Sequence, residues 1–390
     1  MERTNRGGSF TRLVLTTPIA WLCGLLAIAP GIALERAEHN LPRQQDEEVR
    51  ALQAALQRYQ EIVAAGGWQL VAGGRRVEPG TQDPRIPLLR ARLRAEGYSS
   101  GADQPEEDRY DPALESAVRR FQALHGLDED GVIGPATLDA LNISAAIRTE
   151  AIARNLQLRR ALPDSLGERY ILVNSAAFTL QLIERGHTVL QLRTIVGRRD
   201  WQTPVVSSPI TELIFRPLWR VPRSIATKEI LPLVRRNPGY FAKTGMRVFR
   251  DSADGKEVDP STVDWTKVTS RTLVYQFVQE PGPVNPLGGV KFFLRTPFDV
   301  FLHDTPGQAL FERRQRAFSH GCVRVEHAEQ LAGYLLPDWP SDSIRAAMHT
   351  GRERRVPLAA PIPAHLVYWT AWVEADGWVA FREDIYRRFK

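Results

Sequence analysis

Before residue 165 the apolar positions of this chain recur every three or four residues, and after Tyr170 they recur every two. The first spacing marks amphipathic helices; the second marks strands with one buried face. From about 45 to 66, Leu52, Leu56, Tyr59 and Val63 fall on one helical face, and Gly66-Gly67 ends the helix. A connector rich in Gly, Pro and Arg runs from Gly73 to Pro87. Residues 88–142 then read as a compact unit of three short helices. Leu88, Leu89 and Leu93 mark the first, which stops at Gly97-Tyr98, and an acidic loop follows. Leu114, Val118, Phe121 and Leu124 line one face of the second. Asp130-Gly131 makes a turn and Gly134-Pro135 opens the third, where proline's missing N–H would have had no partner anyway. Ile147 to Leu162 is a further amphipathic helix, ending at Pro163. It is expected to pack on the first helix, so that the three-helix unit is inserted into a split helical scaffold.

In the second half Phe178, Leu180 and Leu182 alternate with polar residues, as do Leu190, Leu192, Thr194 and Val196, then Leu273, Tyr275 and Phe277, then Val290, Phe292 and Leu294. Gly and Pro punctuate them, as in antiparallel strands. Trp219 to about Ser270 breaks the pattern with Pro, Gly and charge and only short helical pieces. A stretch that long inside a β domain is usually functional, and a lid is expected rather than a decorative insertion. Glu326 to Leu336 reads as a helix, and Val356 to Tyr386 as two more strands. The expected class is α+β and multidomain. Its segments are 1–34 (signal or anchor), 40–84 (scaffold), 85–143 (three-helix unit), 144–166 (scaffold helix), 167–337 (β domain with a lid at about 219–270) and 338–390 (closing strands).

Arg3, Arg6 and Arg12 precede an apolar run from Leu13 to Leu34, the form of an export signal. The run is also about long enough to span a bilayer, so an uncleaved membrane attachment is the alternative. Cleavage after Gly31-Ile32-Ala33 is preferred to cleavage after Ala27-Ile28-Ala29, which leaves Pro30 at the cut. The working part of the chain is therefore expected in the periplasm or another extracytoplasmic space. The net charge of +6 arises from 51 basic and 45 acidic residues, with arginine spread evenly rather than clustered on one element. That argues against nucleic acid as a partner and suits an anionic polymer.

Two cysteines occur, and Cys23 falls in the N-terminal apolar run. Cys322 is thus a lone thiol in an exported domain and cannot form an internal disulfide. Its setting, Ser319-His320-Gly321-Cys322-Val323-Arg324, is that of a nucleophile. A thiol needs a nearby base or positive charge to attack acyl carbon. His303 is the candidate base, because it closes the strand Val300-Phe301-Leu302-His303 before the turn Asp304-Thr305-Pro306-Gly307. Gly321 is expected to bend the chain so that its N–H and that of Cys322 converge on an oxyanion. His320 and Ser319 support that pocket, and Arg324 is placed to hold a substrate carboxylate through two hydrogen bonds or else to pair with Glu326 or Asp304. His327 reads as solvated. His320 and Cys322 are too closely spaced for an ordinary zinc site, so neither metal nor cofactor is expected.

The run from Tyr110-Asp111-Pro112 through Ala117-Val118-Arg119-Arg120-Phe121-Gln122, Gly126-Leu127 and Asp130-Gly131 to Leu141 resembles the three-helix peptidoglycan-binding domain. His303 followed by Ser319-His320-Gly321-Cys322-Val323-Arg324 resembles the signature of the L,D-transpeptidases. Gln202-Thr203-Pro204, Trp219-Arg220-Val221-Pro222, Gln279 to Gly288, Lys291-Phe292 and His303 to Pro306 resemble that family's larger Gram-negative branch. The resemblance implies a β-sandwich catalytic fold in which Cys322 attacks the third residue of a peptidoglycan stem tetrapeptide. Terminal D-Ala would leave and a neighbouring stem's amine would resolve the thioester, giving a 3→3 cross-link without ATP. It further implies acylation by carbapenem-type inhibitors, and a carbonyl or small polar group after the histidine as orienter, the place of Asp304. Alternatives are an L,D-carboxypeptidase with water as acceptor, an enzyme that attaches or releases a wall-bound protein, and a non-catalytic wall-binding protein.

Overall fold

The computed structural model describes residues 44–98, 108–163, 165–237 and 239–389. The segment 1–34, with its signal or anchor reading, and most of the acidic loop after Tyr98 lie outside the described residues. Among those described, no helix is long and apolar enough to cross a membrane.

Helices Gln44–Ala64 and Ala145–Arg160 pack together, Leu52, Ala55 and Tyr59 of one meeting Ile152 and Leu156 of the other. Ser144 caps the second helix, its hydroxyl accepting the Ile147 N–H at 3.3 Å. Between the two in sequence stand three short helices, Ile86–Ala95, Pro112–Leu124 and Pro135–Leu141. Leu89, Leu93, Leu114, Val118, Phe121 and Leu141 form their common core. Gln122 is buried and holds the Asp130-Gly131 turn. Its amide donates to Asp130 Oδ1 at 2.9 Å, and its oxygen accepts the Gly131 N–H at 2.9 Å. A late hairpin, Ala371–Val373 with Val379–Phe381, enters the scaffold core. Its Phe381 ring lies 5.8 Å from that of Tyr59 and 5.6 Å from that of His125, so one side chain ties scaffold to three-helix unit.

The β domain differs from the expected sandwich. Strand Thr179–Glu184 pairs with both Arg169–Asn174 and His187–Gly197. The ladder continues through Val323–Val325, Leu302–His303, Val290–Leu294, Val206–Phe215 and Arg354–Val367, and then returns to Arg169–Asn174. These strands close into a ring, a barrel rather than two facing sheets, with Ala317–Ser319 appended to His187–Gly197. Closure is possible because His187–Gly197 spans 11 residues, long enough to pair with one neighbour early and another late. It also removes the exposed edges that an open sheet must protect. Ile171, Leu180, Leu213, Phe292, Val323 and Leu366 belong to the core cluster, which helices Ala328–Leu335 and Ser341–His349 cover with Leu331 and Ile344. Ser341–His349 was not among the expected elements of the C-terminal segment.

The insertion is a small folded unit rather than an irregular flap. It starts at Trp219 and continues past the expected limit near 270 to Gln279, because Tyr275–Gln279 is its central strand, flanked by Trp219–Arg220 and Met246–Arg250. Phe241, Val248, Trp265 and Phe277 give it a core of its own.

Replacing Phe381 by alanine empties a buried site shared by two elements of the fold. The expected cost is about 3–5 kcal/mol, read as a lower unfolding midpoint in urea, and an unchanged midpoint would contradict this packing.

Candidate active site

Three adjacent strands of the ring build the site. Leu302–His303 runs antiparallel to Val290–Leu294 and parallel to Val323–Val325. Leu302 pairs with Phe292 and Val323, and all three are buried in the core. Successive side chains of a strand point to opposite faces. The next row, Lys291, His303 and Arg324, therefore lies on the other face, and the charges of Lys291 and Arg324 both act on Cys322, just before its strand. The Phe301 ring packs among them, 5.6 Å from the His303 ring and with Lys291 Nζ 3.6 Å from its centre.

Cys322 is a free thiol, partly exposed, whose Sγ lies 3.7 Å from the Asp299 carbonyl oxygen. His303 is buried, and its Nδ1 lies 2.5 Å from the Asp304 backbone oxygen. A carbonyl can only accept, so Nδ1 carries the proton and Nε2 is the basic nitrogen. The orienting group at Asp304 is thus its carbonyl and not its carboxylate. The Asp304 Oδ2 accepts the Gly289 N–H at 2.8 Å instead, and burial pushes that carboxyl above its ordinary value. Gly288, at φ 61°, is needed here, since a Cβ would come 2.3 Å from the same oxygen.

The loop before Cys322 is held tightly. Ser319 Oγ donates to the Cys322 carbonyl at 2.5 Å and accepts the Gly321 N–H at 3.1 Å. The expected oxyanion role of the Gly321 N–H is therefore corrected: that donor already holds the turn, which leaves the Cys322 N–H as the candidate. The φ of 112° at Gly321 is one that L side chains rarely adopt, so glycine is required there for conformation. Thr203 supports the loop from outside, donating to the Gly321 carbonyl at 2.8 Å and accepting the Gly197 N–H at 2.9 Å. The Tyr386 hydroxyl donates to the Gly197 carbonyl at 2.8 Å and accepts the Thr203 N–H at 3.2 Å.

His320 turns towards the insertion, its Nε2 2.6 Å from Glu229 Oε1 and its ring 5.0 Å from that of Trp201. Burial pushes the Glu229 carboxyl up, but hydrogen bonds from His320 and from Arg198, at 2.8 Å, outweigh it and the carboxyl is lowered. His327 is exposed and stands apart from the site. Glu326 pairs with Arg193 at 2.5 Å, which leaves Arg324 without an ion pair among the described residues. Lys291, Thr203, Tyr386, Arg198 and Glu229 were not singled out as site residues from sequence. Only the Gln202-Thr203-Pro204 and Lys291-Phe292 runs hinted at two of them.

Burial, reinforced by the positive charges of Arg324 and Lys291, pushes the His303 imidazole down to about 3, although the carbonyls of Asp304 and Leu287 oppose this. Burial also pushes the Cys322 thiol above its ordinary value, opposed by a backbone hydrogen bond from Phe301 and by Lys291 and Arg324. Both shifts favour the uncharged thiol and the uncharged imidazole.

Residues 168–345 match the family model of the L,D-transpeptidase catalytic domain. They form an L,D-transpeptidase domain. Residues 82–141 match the peptidoglycan-binding domain. A curated relative from Haemophilus influenzae that bears the L,D-transpeptidase name is 31% identical over 302 residues, which cover 74% of this chain and 60% of the relative. Similar solved structures include the L,D-transpeptidase of Xylanimonas cellulosilytica, 15% identical over 76% of this chain and 99% of that one, with a TM-score of 0.23. L,D-transpeptidase 3 of Mycobacterium tuberculosis, solved with a faropenem-derived adduct, is 11% identical over 51% and 60% of the two chains, with a TM-score of 0.24.

The protonation states predict how the thiol of this L,D-transpeptidase domain reacts with a neutral electrophile. Alkylation of Cys322 by iodoacetamide should be slow at pH 7 and climb only above the ordinary thiol value of about 8.5. A rate that is already level between pH 5 and 7 would show a preformed thiolate and contradict the neutral pair.

Proposed function

We propose that this chain is an L,D-transpeptidase that joins peptidoglycan stems by 3→3 cross-links through a thioester on Cys322. The observation that carries the reading is the strand pairing that sets a buried imidazole, anchored through Nδ1–H, beside the strand that follows a free thiol. In the acylation step Cys322 Sγ bonds to the carbonyl carbon of the third stem residue, meso-diaminopimelate, while His303 Nε2 takes the thiol proton. The tetrahedral oxyanion receives the Cys322 N–H. It collapses with cleavage of the peptide bond, and the imidazolium returns the proton to the departing amine of D-Ala. In the second step His303 takes a proton from the side-chain amine of a neighbouring stem as that nitrogen attacks the thioester. The new amide forms and the thiol is restored.

Neutral resting groups suit this sequence, since a thiol can give and an imidazole can take one proton in the same step. Arg324, without an acidic partner, is available to a carboxylate of the stem. Carbapenem-type β-lactams would acylate the same sulfur. The three-helix domain would hold the enzyme on the wall polymer, and the insertion, joined to the catalytic loop through Glu229, would cover the bound stem. This reading puts the working domains outside the cytoplasm, where the wall is, with 1–34 as signal or attachment.

Incubation with disaccharide-tetrapeptide should yield a dimer lacking one D-Ala, measured by mass spectrometry. Tripeptide alone would assign the carboxypeptidase reading, and no product from protein with an alkylatable thiol would assign a binding protein. Cys322→Ala and His303→Ala should each lower turnover by roughly three orders of magnitude or more, and the double variant by little further, because the pair acts as a unit.

A further inference from the structure

The row that holds His303 contains a cation to which neither the motif nor the proposed chemistry gives a task. Lys291 pairs with His303 across two strands, and Arg324 pairs with it on the other side. The imidazole is thus bracketed by two positive side chains in one register. Neither has an ion pair among the described residues, and the Arg324 Nε is buried without a hydrogen-bond partner. Lys291 rests its ammonium 3.6 Å above the Phe301 ring, a contact that accommodates a cation without neutralising it. Apart from the Cys322 thiol, the acid whose charge acts on Lys291 is Glu353, which is already engaged, accepting the Leu218 N–H at 2.7 Å and facing Arg220 at 3.8 Å. Arg220 and Arg355 add further positive charge around Lys291. Arg355 is itself paired with Glu212 at 2.8 Å.

A half-buried cation is unfavourable until an anion joins it, and Lys291 and Arg324 are two such cations, one on either side of His303. We propose that Lys291 is a specificity-determining residue that, with Arg324, clamps a carboxylate of the incoming stem peptide across His303. The inference rests on the transpeptidase reading and names a group which that reading lacks. Two carboxylates of the donor have the required chemistry: that of the terminal D-Ala and the free one on the diaminopimelate side chain. A carboxylate there would also cancel the field that disfavours imidazolium, so binding the correct substrate would favour the proton transfer that starts the reaction. A neutral substrate would gain no such help.

The test pairs residue charge with substrate charge. The full chain is assayed with tetrapeptide donor, with the donor amidated at D-Ala, and with the donor amidated at the side-chain carboxylate. Wild type should favour the free acid over one of the two amides by about tenfold or more in kcat/KM, and that amide identifies the clamped carboxylate. Lys291→Met should lower kcat/KM for the free acid by about tenfold or more while changing the discriminated amide by less than about threefold, so that discrimination collapses. Lys291→Arg should restore most of it. Iodoacetamide labelling of Cys322 in each variant reports an intact site independently of peptide charge. Equal use of all three donors by wild type, or a Lys291→Met loss that is the same for acid and amides, overturns the clamp while leaving the transpeptidase reading in place. Absence of turnover with any donor, in wild type whose thiol still alkylates, sinks that reading and the clamp together.

Discussion

Two parallel residue pairs, Leu302 with Val323 and His303 with Arg324, hold the site in register. The first pair is buried in the apolar core and the second faces the chemistry. A strand of two residues has little stability of its own, so its place is set by the strands on either side and by the packing of Leu302 against Phe292 and Val323. A slip of one residue would send His303 into the core and put an apolar residue in its place. Ring closure guards against that slip, because every strand of the ring is paired on both sides and none of them can shift alone.

The same row sets the electrostatics. A resting thiolate–imidazolium pair would place a third positive charge between Lys291 and Arg324 in a buried position. Burial opposes both ions, and the two cations favour the thiolate but disfavour the imidazolium. The balance favours the uncharged pair. This makes the Nδ1 bond to the Asp304 carbonyl important beyond aiming the ring, since it fixes which nitrogen is basic. The loop on the other side is equally constrained, with Ser319, Gly321 and Thr203 linked in one chain of hydrogen bonds.

Much of this was legible from residue pattern. The helical faces of Leu52 and Tyr59, and of Leu114, Val118 and Phe121, follow from three-and-four spacing, and the turns from Asp130-Gly131 and Gly134-Pro135. The alternation of Leu180, Leu182, Leu190 and Leu192 gave strands but not their closure, because periodicity reports which face is buried and not which strand pairs with which. The motif drew the eye to Cys322 and His303. It misassigned the Gly321 N–H, whose bond to Ser319 depends on a backbone angle that no composition reveals. Lys291, Glu229 and Tyr386 reach the site from up to 93 residues away in sequence, Glu229 in the insertion being the farthest. The Lys291-Phe292 run hinted at the first, but such long-range placement left no local signal for Glu229 or Tyr386. The insertion was visible as a break in the β pattern, but its central strand at Tyr275–Gln279 looked like part of the surrounding domain.

The most direct measurement is the mass of the intact protein mixed with a tetrapeptide donor and no acceptor amine, quenched within a turnover and mapped by proteolysis. A covalent adduct equal to the donor less D-Ala, on the peptide that contains Cys322 and absent from His303→Ala, is the predicted result. Release of D-Ala without any adduct on that peptide, or an adduct that forms equally well without the imidazole, would contradict catalysis by a thiol whose proton His303 accepts.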